Sequence, residues 1–302
     1  MRPVFRGADK KGRRAELSYY LTNYQITGNE VKKLPLQDRK YKYNQTILKV
    51  FGSGENKRIK LITMNVLRTK GIEDDSEKHP ERGSVNECKL DENITRTKSK
   101  IFELAFCNPW EWFFTATLDK NKYDRTDLKK WHKDLTQWIR DYNKKHNLSI
   151  KFLLIPELHS DGVSWHMHGF LYDLPVEHLT QFKIGDKMGK ALAEKVKKGD
   201  IVYNWEPYMF KFGFCDLEPI RNPEAVSKYI TKYINKNLAT SVTELNAHQY
   251  YHSRGLKVAE VKKIGTMTMA VDIAPDYFNE YCSVYWLPYD DELLQNIADS
   301  II

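Results

Sequence analysis

Apolar positions recur along this chain at two intervals, and the switches between them divide it into elements. The run Trp112-Phe113-Phe114-Thr115-Ala116-Thr117-Leu118 is aromatic and β-branched, which predicts a strand with Thr115 and Thr117 on one face. Leu128, Trp131, Leu135, Trp138 and Tyr142 then repeat at helical spacing behind Asp124 or Thr126 as a cap. From about Lys151 to Tyr172 two alternating runs flank Asp161-Gly162, a strong hairpin signal. A helix within about Val176 to Lys198, a strand near Tyr208 to Glu218 and a helix from Pro223 to about Leu238 follow. Strand, helix, strand, strand, helix, strand, helix is the split βαβ order. It predicts an α+β fold with a central antiparallel sheet, helices packed on one face and the other face free for a ligand. In such a sheet the first and third strands are central neighbours.

The flanks are less regular. Thr46 to Gly52 and Arg58 to Met64 alternate on either side of Ser53-Gly54-Glu55-Asn56, a second hairpin. Gly71 to Asn93 is polar, mixed in charge and without a period, so it reads as an exposed connection. A helix is predicted from about Ile94 to Cys107, ended by Asn108-Pro109. We therefore expect a basic, β-containing N-terminal extension and linker over residues 1–93. A principal domain should occupy 94–302, with a C-terminal elaboration that is strand-like over Lys257 to Val271 and helical over Asp290 to Ile302.

Composition narrows the function. The 302 residues include 48 Lys and Arg against 40 Asp and Glu, a formal charge of +8 that favours a polyanionic partner such as nucleic acid. Cys88, Cys107, Cys215 and Cys282 are widely spaced with no CxxC pair, arguing against a disulfide framework or zinc ribbon. No apolar run approaches the roughly 18 residues of a membrane span, and Met1 to Gly7 has no signal-like core. The expectation is a cytoplasmic protein without a membrane partner. Gly52-Ser53-Gly54 lacks the Lys-Ser/Thr ending of a phosphate loop, so no ATP-driven motor is expected.

The hairpin carries the first candidate chemistry. A turn at Asp161-Gly162 pairs Leu158 with Trp165 and sets Glu157 opposite His166. Opposed residues and residues two apart share a face, so Glu157, His166 and His168 project together while Leu158, Trp165 and Met167 face the core. One carboxylate and two imidazoles can hold a divalent cation with positions left open. An ordinary polar sheet face would show the same three residues.

The second candidate lies on the last helix. Val226, Ile230 and Ile234 form one stripe, Lys228, Lys232 and Lys236 another, and Tyr229 and Tyr233 fall between them, four apart and roughly 6 Å from each other. Two tyrosines at the rim of a core would read alike. A phenol beside a cation can also act as a nucleophile on phosphorus, its pKa lowered by positive charge.

Taken in order, the Phe113 to Leu118 strand, His166-Met167-His168 with an upstream acid, and the helix bearing Tyr229, Lys232, Tyr233 and Lys236 resemble the three motifs of rolling-circle replication initiators. These belong to the HUH endonuclease superfamily, whose sheet is ferredoxin- or RRM-like. The tyrosine pair resembles the two-tyrosine class, which includes gene A-type phage replication proteins. The resemblance covers about residues 94 to 240. It implies that His166, His168 and Glu157 bind Mg²⁺ or Mn²⁺, that Tyr229 and Tyr233 are nucleophiles, and that Lys232 or Lys236 contacts the scissile phosphate. It further implies metal-dependent nicking and joining of single-stranded DNA at a replication origin through a 5′-phosphotyrosyl intermediate. A host helicase and polymerase would be partners, and the element replicated a plasmid, phage or mobile element. Side-chain chemistry alone would equally admit zinc. A two-tyrosine transposase or a relaxase could use the same parts, although relaxases usually place their tyrosine before the histidines. A non-catalytic RRM-like binder would share the strand order and the charge, but predicts stacking aromatics where Thr115, Thr117, His166 and His168 stand.

Overall fold

The computed structural model describes residues 45–64, 87–233, 249–278 and 282–302. Only the backbone is described at 87–93, 223 and 270 and in short strands at 5–6, 24–27, 30–33, 41–43 and 68–70. Its contacts divide into two units, Pro80–Val258 and Met1–His79 with Ala259–Ile302.

In the first unit, alternation sets the sheet. Strand β3 (Trp112–Thr117) buries Trp112, Phe114 and Ala116 and leaves Phe113, Thr115 and Thr117 only partly covered. Helix α2 (Leu128–His146) buries Trp131, Leu135, Ile139 and Tyr142, one stripe at helical spacing. Its cap is Asp127, which accepts the Lys130 N–H at 2.9 Å, in place of the expected Asp124 or Thr126. Asp124 is instead occupied with the Thr126 N–H and hydroxyl, at 2.9 and 2.7 Å. Strands β4 (Lys151–Leu158) and β5 (Trp165–Tyr172) form the expected hairpin, with Leu158 opposite Trp165 and Glu157 opposite His166. Its loop is wider than a two-residue turn. His159 N–H still reaches Ser164 O at 2.7 Å, but only Gly162 has positive φ (72°), and Asp161 Oδ1 accepts the Val163 and Ser164 N–H groups. A primed two-residue turn would need positive φ at both central positions.

Short strands β6 (Thr180–Gln181) and β7 (Tyr203–Asn204), helix α3 (Lys190–Lys197) and helix α4 (Glu206–Lys211) come next. Tyr208 therefore lies on a helix, and the strand expected from it begins later, as β8 (Cys215–Pro219). The fully buried Tyr208 and Phe212 pack as core, Tyr208 edge-on to Phe114 at 5.4 Å. Aromatic bulk expected in the strand thus fills the space beneath it. Helix α5 (Pro223–Ile230) passes into a single 3₁₀ turn, Thr231–Tyr233. The expected remainder to Leu238, including Ile234 and Lys236, lies outside the described residues. With β9 (Tyr251–His252), the sheet has seven strands in the order β6-β7-β8-β3-β5-β4-β9. Its centre, β8-β3-β5-β4, is the antiparallel arrangement predicted, with Thr117 opposite His166 and Thr115 opposite His168.

One sheet face packs on α2 and on Trp205, Tyr208 and Phe212. The other is only partly free. Helix α1 (Glu87–Cys107) starts seven residues before the expected Ile94 and takes in the end of the predicted connection, whose residues 71–86 lie outside the described ones. It packs on α5, whose Tyr229 ring meets Phe113 edge-on at 5.8 Å. Trp110, just beyond α1, covers Phe170 and Tyr172 at 5.6 and 5.3 Å. This face is thus apolar and covered over Phe113 and Phe170, and polar over the histidines.

In the second unit, β1 (Thr46–Phe51) and β2 (Arg58–Met64) form the predicted hairpin. The C-terminal segment adds β10 (Glu260–Gly265), β11 (Tyr277–Phe278) and β12 (Cys282–Pro288), giving the order β10-β1-β2-β12-β11. Helix α6 (Asp291–Asp299) is the C-terminal helix expected, capped by Asp290. Its Ile297 packs with Leu48, Ile59, Leu61 and Tyr285. No helix among the described residues is long and apolar enough to cross a membrane.

Candidate active site

The strand register brings the predicted residues onto one face. His168 Nε2 lies 3.1 Å from Glu157 Oε2. This contact, against the opposing effect of burial, holds the Glu157 carboxyl below its usual range and keeps it ionised near neutrality. His166 is the next residue on that face, its ring centre 6.1 Å from that of His168. Burial, and then the positive charges that His159, His168 and Arg125 can carry, press its pKa down to about 4 against the pull of Glu157. Neutral imidazole, the form with a lone pair to give, is therefore its resting state at neutral pH. His159, expected only near the site, stacks on His166 with centroids 4.6 Å apart.

The tyrosines come down onto the same face from α5 and the 3₁₀ turn. Tyr233 stacks nearly parallel on His168, with 4.5 Å between centroids and 14° between planes. Its hydroxyl is 3.2 Å from that of Tyr229. Lys232 Nζ sits over the Tyr229 ring, 3.4 Å from its centre, and 5.1 Å from that of Tyr233. The two phenols differ in acidity. Burial opposes ionisation of Tyr229, but Lys232, the Tyr233 hydroxyl and Lys195 outweigh it and the pKa falls below the ordinary value. For Tyr233, burial, the bond to Tyr229 and the charges of Glu157 and Asp216 all raise it. The acidification expected of both phenols thus applies to Tyr229, which is 46% exposed.

Three groups near this face were not read from the sequence. Asp216 is the Cα partner of Thr115, which is itself the partner of His168, so the three form a row across the sheet. Burial and the Glu218 charge raise its carboxyl to about 6. Lys195 of α3 bonds Glu218 at 2.7 Å. Arg125 offers its carbonyl to the Trp165 N–H at 3.0 Å, which ties it to the start of β5. The signal for Asp216 was its alternation with Cys215 and Leu217, obscured by starting the strand at Tyr208.

The donor set fits a divalent ion in kind. Its closed pair also fits in spacing, since adjacent ligands of an octahedral ion with bonds of about 2.1 Å stand about 3 Å apart. The Nδ1 atoms of His166 and His168 are buried without a hydrogen-bond partner. The third ligand is not drawn in: among the described residues no three His, Cys, Asp or Glu side chains form a closed group.

Residues 111–238 match a family model described as replication-associated protein, of the ORF2 type. The matched segment runs from the start of β3 past the tyrosines, so it holds every predicted site residue. It supports a replication initiator. Neither a curated protein nor a solved structure matches the chain.

Proposed function

We propose that this protein is a two-tyrosine HUH endonuclease that initiates rolling-circle replication by nicking and rejoining single-stranded DNA at an origin. The observation carrying the reading is the juxtaposition of a bonded phenol pair with a histidine–carboxylate pair, joined by the Tyr233–His168 stack. A structural sheet face has no use for a cation held above a phenol whose pKa is lowered.

In this mechanism the Tyr229 oxygen attacks the scissile phosphorus. The bond from phosphorus to the 3′ oxygen breaks, the phenolic proton passes to that oxygen, and a 5′-phosphotyrosyl link and a free 3′-hydroxyl result. Lys232 favours the phenolate and screens the phosphate charge. Lys236, outside the described residues, is assigned the same phosphate contact from its place in the motif. Tyr233 holds the Tyr229 oxygen and serves the second strand transfer, when its partner is already esterified. His166, His168 and Glu157 would hold Mg²⁺ or Mn²⁺, which when bound supplies polarisation of the phosphodiester. The ester conserves the energy of the broken bond, so rejoining needs no nucleotide. A polymerase extending the 3′-hydroxyl and a helicase opening the duplex are the partners this chemistry requires.

The test is incubation of the protein with Mn²⁺ and pooled single-stranded oligonucleotides. Cleavage that EDTA abolishes is expected, and protein that leaves every oligonucleotide intact overturns the proposal. An RRM-like binder is disfavoured because the aromatics it would expose, Phe113 and Phe170, are covered by Tyr229 and Trp110.

A further inference from the structure

The sheet face that bears the histidines continues sideways into a cavity. From His166 the row passes to its Cα partner Thr117 and then to Phe214, whose carbonyl accepts both the N–H and the hydroxyl of Thr117 at 2.9 Å. There a cavity of about 970 Å³ opens, bounded by Thr117, Phe214, Phe182, Asn204, Met188 and Gly189 among others. The rings of Phe182 and Phe214 are 6.0 Å apart and within 29° of parallel, forming one wall. Asn204 is 7% exposed, yet its amide meets only sulfur: Nδ2 donates to Met209 Sδ and Oδ1 accepts from Cys215 Sγ, each at 3.5 Å. Sulfur is a weak hydrogen-bond partner. A buried amide so poorly matched keeps a donor and an acceptor for a ligand edge. Asp119 and Glu206 also border the space and oppose a phosphate within it.

An aromatic wall, an amide edge and flanking acids select a flat, uncharged heterocycle that bears both donors and acceptors. We propose that this cavity takes one nucleobase of the DNA strand beside the scissile phosphate, stacked on Phe182 and Phe214 and read at its edge by Asn204. The proposal rests on the nuclease reading and adds a residue that determines sequence preference. Thr117 connects the two sites, because it borders the cavity and stands opposite His166.

The test uses the full-length protein in EDTA, so that no strand is cut, with a single-stranded DNA selected from a random pool by binding. Replacing each nucleotide in turn by an abasic one should reveal a position where loss of the base weakens binding by about tenfold, the scale of base stacking. Asn204→Leu and Gly189→Trp should each remove that penalty and leave the others unchanged. A Cβ added at Gly189 meets nothing within 4 Å, so the second variant narrows the mouth without disturbing the fold if the first fails to fold. A wild-type scan with no such position, or a penalty that survives in Gly189→Trp, overturns the pocket while Mn²⁺-dependent cleavage would leave the nuclease reading standing. Wild-type protein that binds no single-stranded DNA overturns both.

Discussion

The two faces of the seven-stranded sheet share one backbone and differ in what they do. On β5, Trp165, Met167 and Leu171 point one way into a core of Trp131, Leu135, Trp205 and Tyr208, where side chains are nearly or wholly buried. His166 and His168 point the other way, with unpaired Nδ1 atoms, beside an Asp216 carboxyl that burial raises to about 6. The first face is built for stability, since each large apolar side chain fully buried contributes about 1.5–3 kcal/mol. The second carries buried polar groups that work against stability. Such groups gathered on one face mark a functional site.

That contrast can be broken at single residues. Replacing both Tyr229 and Tyr233 by Phe should eliminate any covalent DNA adduct on a denaturing gel. Of the single variants, Tyr229→Phe should lose more, because its phenol is the more acidic. An adduct persisting in the double variant would place the nucleophile elsewhere. His168→Ala should slow nicking by about 100-fold or more, the scale of lost metal-site contacts, while thermal unfolding shifts by only a few degrees. Its neighbour Met167, 0% exposed, should behave in the opposite way. Met167→Ala should destabilise the fold by about 2–5 kcal/mol in urea titration and leave nicking by the folded fraction near wild type. If both variants lose stability alike, the two faces do not divide the work as described.

The smallest effect concerns pH. Asp216 has a folded pKa of about 6 against an ordinary 3.8, so between these values the folded state binds more protons than the unfolded one. Stability must then fall as pH rises through that window and stay lowered above it, by about 1–3 kcal/mol for this group. Asp216→Asn in EDTA should remove this fall, measured by urea unfolding at about pH 4 and pH 7. An unchanged difference would show that the carboxyl is not strained.

Much of this was legible in the residues. Alternation in Trp112–Thr117 and around Asp161-Gly162 fixed the β3 and β5 faces, and the register placed Glu157 opposite His166 as expected. The local signals failed where tertiary packing decided. Tyr208 and Phe212 are strand formers by type, but they serve as helical core under Phe114. Residues 259–302 pair with strands more than 190 positions earlier, and no local period reports such pairing. Gly169 looked unremarkable beside the histidines, yet a Cβ there would stand 1.9 Å from Leu153 O, so β5 and β4 come together only because it is glycine. The difference between the two phenols was also invisible. It arises because Tyr233 is pressed against His168 while Tyr229 meets Lys232.

The central claim is that a phenol above the histidine face becomes joined to DNA. Mass spectrometry of the adduct formed with Mn²⁺ and single-stranded DNA, after nuclease and protease digestion, tests it most directly. The account predicts a phosphonucleotide on the peptide containing Tyr229, moving to Tyr233 in Tyr229→Phe. A nucleotide on any other residue, or protein recovered without one after the DNA is cut, would contradict it.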